Sequence, residues 1–349
     1  MLQSSMIHSL SNFFKQNNIT FKIIINDVEK LIYEREGQPR KTFNSILESF
    51  MKRSKDANLI RNKAKYKFGD YHSYDTIISW LNEIEHFYPN IAKVFTIGQT
   101  FEGRNIKGIK IGNPIDKINK RIIWIDAGIH AREWASIHTA LYFIDQVKTG
   151  SSSHICSEIY HGNAPFSEPE TRAIRDKLLS AEMFGKIDAF ITLHTYSQMW
   201  IYPYGHQRRS FPNDVKDLEK VGKQAVKAVE NVYGTKFRLG TGADILYPSS
   251  GGSDDWAKSK AGVKFVYLLE LRPGENDFDG FLLDRRQLIP TGRETWAGVR
   301  VVIDAVMRSK RICTDISPWC MNWIRINPNV CLTALTYMQQ QCIRSCRFC

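Results

Sequence analysis

RIIWIDAGIH (121–130), AFITLH (189–194) and VKFVYLLE (263–270) are three near-continuous apolar runs of strand length. Unbroken hydrophobic stretches of this kind suit strands that are buried on both faces. They predict an α/β fold, with a mixed, mostly parallel sheet flanked by helices over 136–148, 168–182, 214–233 and 290–308. Each run ends in a residue able to bind metal or move a proton: His130, His194 and Glu270. In open α/β sheets ligands bind beyond the carboxyl ends of strands, so these three side chains are expected to converge.

The first run leads into His130-Ala131-Arg132-Glu133-Trp134. A His and a Glu three positions apart, where a strand turns into a helix, can offer an imidazole and a carboxylate to one cation. Zinc takes such N and O donors, and catalytic zinc sites use three protein ligands. H-x-x-E alone is a common chance match, and an isolated His is more often a hydrogen-bonded structural residue. His72, His86, His138, His161 and His206 are read that way.

The surroundings are more specific. GIHAREWAS (128–136), LHTYSQMWIYPYG (193–205), LYPSSGGSDDW (246–256) and YLLELRPG (267–274) occur in that order, with YHSYDTIISWL (71–81), IGQTFEGRNIKGIKIG (97–112) and FLLDRRQLIPTGRETW (281–296). Together they resemble the metallocarboxypeptidases of the carboxypeptidase A/B type over roughly 68–307. The resemblance implies a zinc-dependent exopeptidase acting on peptide or protein C-termini. It implies His130, Glu133 and His194 as zinc ligands and Glu270 as general base toward the attacking water. Tyr247 matches a tyrosine that closes over the substrate, Arg132 a substrate-contacting arginine, and Tyr196 and Phe281 subsite aromatics. Asp254 matches the base of the side-chain pocket, where a carboxylate favours a C-terminal Lys or Arg.

One stretch departs from the pattern. Glu133 and His194 are 61 positions apart, roughly half the separation the resemblance implies. ALYFIDQVKTG (140–150) runs straight into SSSHICSEIYHG (151–162), so an internal segment near 149–151 is expected to be missing. With it would go a core strand, an oxyanion-stabilising arginine, an Asn-Arg pair for the substrate's terminal carboxylate, and the disulfide partner of Cys156. Loss of one oxyanion donor costs about 10²–10³ in rate. The alternative expectation is therefore an impaired or inactive binding protein that keeps the zinc ligands.

The flanks read as separate modules, with boundaries at 1–67, 68–309 and 310–349. Ile7, Leu10, Phe13 and Phe14 have helical spacing, FKIIIND (21–27) reads as a strand, and Val28, Leu31 and Ile32 open another helix. Residues 7–35 resemble the end of the family's activation peptide. The net charge of +12 is half contained in Lys52–Lys67, where seven basic residues meet one acid; this is read as an exposed linker and processing site. No nucleic-acid-binding motif accompanies it, so no nucleic-acid partner is expected. Nor does any apolar run approach the roughly 18 residues of a membrane span.

Six of the seven cysteines, Cys313, Cys320, Cys331, Cys342, Cys346 and Cys349, lie in the last 37 residues. So small a segment predicts a disulfide framework; a zinc cluster built on Cys346-x-x-Cys349 is the rival, though the tail has no His. Disulfides imply an extracellular protein. MLQSSMIHSLSNFFKQNN has no basic segment followed by an apolar stretch, so the N-terminus is expected to be incomplete. The cysteine spacing resembles a ShK-type toxin domain, which implies the pairs Cys313–Cys349, Cys320–Cys342 and Cys331–Cys346 and a docking role toward a protein partner.

Overall fold

The computed structural model describes residues 4–22, 26, 30, 66–116, 120–146, 166–180, 182–277, 280–309, 315 and 317–346. The chain falls into two units, residues 1–60 and 61–349. In the first, the apolar spacing of Ile7, Leu10, Phe13 and Phe14 forms helix α1 (Ser4–Gln16), and the Phe14 ring lies 5.3 Å from Phe21. The strand expected over 21–27, the helix opening at Val28 and the basic run as far as residue 65 fall wholly or largely outside the described residues.

The second unit begins with a capped helix. The Ser73 hydroxyl accepts the Thr76 N–H at the start of α2 (Tyr74–Phe87), whose chain ends just before Pro89. Its buried face of Ile77, Trp80, Leu81 and Ile84 packs on the antiparallel hairpin β1 (Ala92–Gln99) and β2 (Asn105–Ile111). The main sheet contains β3 (Ile122–Ala127), β4 (Ile187–Ser197), β5 (Met199–Tyr202), β6 (Arg238–Thr241) and β7 (Phe265–Gly274), in the order β3-β4-β7-β5-β6. β3, β4 and β7 are parallel; β5 runs antiparallel to β7 and parallel to β6. This is the mixed, mostly parallel sheet that the three apolar runs predict. Among the described residues, β2 and β3 are each paired along one side only.

Helices cover both faces. α3 (Trp134–Gln146), α5 (Val215–Tyr233) and α8 (Leu288–Arg308) bring Phe143, Val229 and Val299 against Ile125, Ile191 and Tyr267. On the other face, α4 (Pro169–Leu178) and α7 (Ser253–Ser259) place Leu178 and Ala257 against Trp124, Phe190 and Val266. Each large side chain sealed between these layers contributes about 1.5–3 kcal/mol over its exposed state. A short helix, α6 (Gly242–Ile245), follows β6.

One expectation is corrected. His194 and Glu270 do not end their strands: β4 runs on to Ser197 and β7 to Gly274, and the ladder continues through Thr195–Leu271. The apolar runs stop there because the sheet face becomes polar, not because the strand does.

In the tail, Cys320–Cys342 and Cys331–Cys346 are bonded, joining α9 (Cys320–Ile326), α10 (Val330–Thr333) and α11 (Leu335–Gln341) around Met338. These are two of the three expected pairs. Cys313, Cys349 and Cys156 lie outside the described residues. Among the described residues no helix is long and apolar enough to cross a membrane.

Candidate active site

Period-two alternation sets the site. Along β3, Ile125 and Ala127 enter the core under α3, α5 and α8, which leaves Asp126 on the opposite face; along β4, Ile191 and Leu193 do the same for Thr192 and His194. On β7, Leu269 and Leu271 leave Glu270 on that same opposite face. Register then aligns them: Asp126 pairs with Thr192, and His194 with Glu270.

The third element is the turn after β3. Gly128 has φ +78, and a Cβ there would lie 2.4 Å from Ile137, so only glycine fits. Ser136 Oγ accepts the Gly128 N–H and donates to the Glu133 carbonyl, while the Glu133 N–H bonds the His130 carbonyl. This short loop is what brings the i and i+3 side chains together.

His130 Nδ1 lies 2.5 Å from Glu133 Oε1, and His194 Nδ1 lies 3.3 Å from Glu133 Oε2. Ligand atoms of the three residues all fall within 4.8 Å of one another. Glu133 Oε2 also accepts the Thr195 N–H, and Thr192 Oγ1 sits 3.0 Å from His194 Nε2. An Nε2–H donated to Thr192 leaves Nδ1 of His194 as the ligand atom, the outer-shell arrangement that orients metal-binding imidazoles. Two imidazole nitrogens converging on one carboxylate, with ligand atoms this close together, can share one cation with it. Two N donors and one carboxylate make a donor set of the catalytic zinc type. The residues therefore fit zinc.

Electrostatics agree with a site that demands positive charge. Burial alone would raise Glu133, but hydrogen bonds from His130 and His194 outweigh it and hold its carboxyl below the usual range. Burial opposes charge on His194, yet Glu133, Glu270 and Asp126 together lift it to about 9. Glu270 is pushed up to about 8, chiefly by burial. It keeps a partly exposed surface while its Oε2 is enclosed without a hydrogen-bond partner among the described residues.

A cavity of about 330 Å³ is lined by His130, His194, Glu270, Tyr247 and Asp254. Tyr247 is 46% exposed. Of two adjacent acids on α7, Asp255 is engaged: it accepts the Gly205 and His206 N–H groups and pairs with the His206 ring. Asp254 is buried, and burial, then the Asp255 charge, raises it to about 6. Among the described residues, its carboxylate is hydrogen-bonded by backbone N–H groups at the start of its own helix.

Arg132, Tyr196 and Phe281 meet one another instead: the Arg132 guanidinium lies 4.2 Å from the Phe281 ring, which packs edge-on to Tyr196 at 5.0 Å. None of the three lines the cavity that holds Glu270 and Asp254. Sequence reasoning missed Asp126, whose Oδ2 accepts the Trp124 indole N–H at 2.8 Å and whose carboxyl burial raises to about 6. The signal was an acid inside the otherwise apolar IIWIDA.

The family model for zinc carboxypeptidases matches residues 77–149 and 145–298. The chain belongs to the zinc carboxypeptidase family. Carboxypeptidase B of Astacus astacus is 34% identical over 300 positions, covering 68% of this chain and 97% of the relative. Carboxypeptidase A2 of Mus musculus is 29% identical over 367 positions, covering 86% and 82%. Bovine thrombin-activatable fibrinolysis inhibitor, solved with a tick carboxypeptidase inhibitor, is 29% identical and superposes with a TM-score of 0.61 over 69% of this chain and 99% of that one. The 300 positions aligned with the Astacus enzyme take up 68% of 349 residues, roughly 237, so about 63 positions lie opposite no residue of this chain. Its two family-matched stretches meet at 145–149.

Proposed function

We propose that this zinc carboxypeptidase releases Arg and Lys from the C-termini of peptides or proteins outside the cell. The observation that carries the reading is Asp254, a buried carboxylate with no side-chain hydrogen-bond partner among the described residues, lining the same cavity as His130, His194 and Glu270. An unpaired carboxylate in a desolvated pocket is strongly complementary to a guanidinium or ammonium group.

His130, Glu133 and His194 would hold zinc, which when bound supplies Lewis-acid polarisation of the scissile carbonyl. Glu270 takes a proton from the attacking water and passes it to the departing amine, so water adds across the amide bond. Asp254 anchors the side chain of the residue being removed, and Tyr247, exposed at the cavity wall, covers it.

Residues 1–67 would serve as an activation segment cut in the basic run 52–67. Residues 310–349 would form a ShK-type module that docks a protein partner, and its two bonded cysteine pairs suit an extracellular setting.

A second reading, a zinc-holding protein without turnover, is favoured by the roughly 63 positions that the Astacus relative has and this chain lacks. The full chain, loaded with one equivalent of zinc, is to be assayed on peptides ending in Arg, Lys or Phe. Arg and Lys should be released faster than Phe. Equal or faster Phe release would refute the basic preference, and stoichiometric zinc with no release from any peptide would favour the second reading.

A further inference from the structure

A basic C-terminal residue carries two charges that an exopeptidase must recognise, the side-chain cation and the α-carboxylate. Asp254 answers the first. Besides the two imidazoles assigned to zinc, the ionisable groups that line the cavity include the acids Asp126, Asp254, Asp255 and Glu270, which would repel the second. Among the described residues, one Arg or Lys lines it: Arg175 of α4.

α4 is fixed where Arg175 can serve this role. Ala173 packs so tightly on Gly98 of β1 that a Cβ on the glycine would lie 2.7 Å away. Glu170 accepts the Phe101 N–H at 2.9 Å, and Leu178 is buried among Trp124 and Phe190. Thr171, Ile174, Arg175 and Leu178, one helical face, line the cavity. The Arg175 guanidinium stands 5.0 Å from the Phe166 ring, which packs edge-on to Trp256 at 5.4 Å. Trp256 follows Asp254 and Asp255 directly on α7, so the cation and the pocket acid belong to one packed cluster. Nε of Arg175 donates to Asp176 at 2.7 Å. The side chain is 31% exposed, and its Nη1–Nη2 edge makes no hydrogen bond among the described residues. A guanidinium edge of that kind matches a carboxylate with two parallel hydrogen bonds.

We infer that Arg175 binds the substrate's terminal carboxylate, a specificity role supplied from α4. This rests on the basic-residue reading of Asp254, and the two are separable by ligands that carry one or both charges. Calorimetry on the zinc-loaded full chain would use arginine and agmatine, which is arginine without its carboxylate. The wild type should bind arginine more tightly than agmatine. Arg175→Gln should weaken arginine by about 10- to 100-fold, the range for a charged hydrogen bond, and leave agmatine unchanged. Arg175→Lys should recover part of the loss, which guards against misfolding of the Gln variant. Asp254→Ile should weaken both ligands.

If Arg175→Gln bound arginine like the wild type, or weakened both ligands equally, the assignment would be overturned while the Asp254 pocket stood. If the wild type bound neither ligand, the pocket reading and this assignment would fall together.

Discussion

The part of the cavity carrying Asp126, His194 and Glu270 is a ladder of paired strands, whereas Tyr247, Asp254 and Arg175 stand on short helices and turns. β4 is buried over nine consecutive residues, while Tyr247 and Arg175 remain 46% and 31% exposed. Groups that move protons or hold a metal need tight positional tolerance, and packed elements supply it. Groups that receive a substrate can adjust where the side chain itself keeps solvent exposure, as those of Tyr247 and Arg175 do. The difference separates chemistry from recognition in one cavity, and each side can be perturbed alone.

The largest expected effect is on the ladder side. Glu270→Gln should keep one zinc per chain by metal analysis and slow release of C-terminal Arg by about 10²–10⁴. A variant that kept the wild-type rate would remove Glu270 from the chemistry and break the division.

On the recognition side, Asp254→Ile should lower the Arg-over-Phe ratio of kcat/KM by about 10²-fold, the magnitude of a lost charged hydrogen bond, with zinc content unchanged. The same preference should respond to pH. Burial holds the Asp254 carboxyl at about 6, so acidification through that value protonates it and removes the charge that attracts Arg. The ratio should therefore be full above neutrality and fade below pH 6, and a ratio flat from pH 8 to 5 would contradict the assignment.

A smaller effect sharpens the rigid side. His138 on α3 is buried; its Nε2 accepts the His72 N–H and its Nδ1 donates to the Trp134 carbonyl, each at 3.0 Å. Burial lowers its pKa to about 4, below the 6.5 of an unfolded chain. Between those values the unfolded state binds the proton more readily, so this stability is present above pH 6.5 and lost as pH falls toward 4. The loss should reach about 3 kcal/mol in denaturant unfolding, and His138→Gln should lack that portion of the pH dependence.

The two sides also differed in how far the sequence disclosed them. Burial on both faces leaves an unbroken apolar signature, so β3, β4 and β7 could be found from composition alone. The H-x-x-E pair was visible because its partners are local. Asp126 was legible as an acid in an apolar run, yet its alignment with Thr192 depends on a register that no local signal encodes. Asp254 stood out only through resemblance, because nothing in SDDW says which acid the loop at 205–206 will engage. Arg175 was invisible: its position in the cavity follows from α4 packing on β1, a contact across more than 70 residues of chain. His72 and His138, read as hydrogen-bonded structural residues, are bonded to each other.

The proposed chemistry depends on His130, Glu133 and His194 sharing one metal ion. Zinc-edge X-ray absorption of the purified full chain tests this most directly. The expected result is one zinc per chain with nitrogen and oxygen neighbours at about 2.0–2.2 Å and two imidazoles, lost in His194→Ala. Zinc held by sulfur at about 2.3 Å, or no stoichiometric zinc, would contradict it.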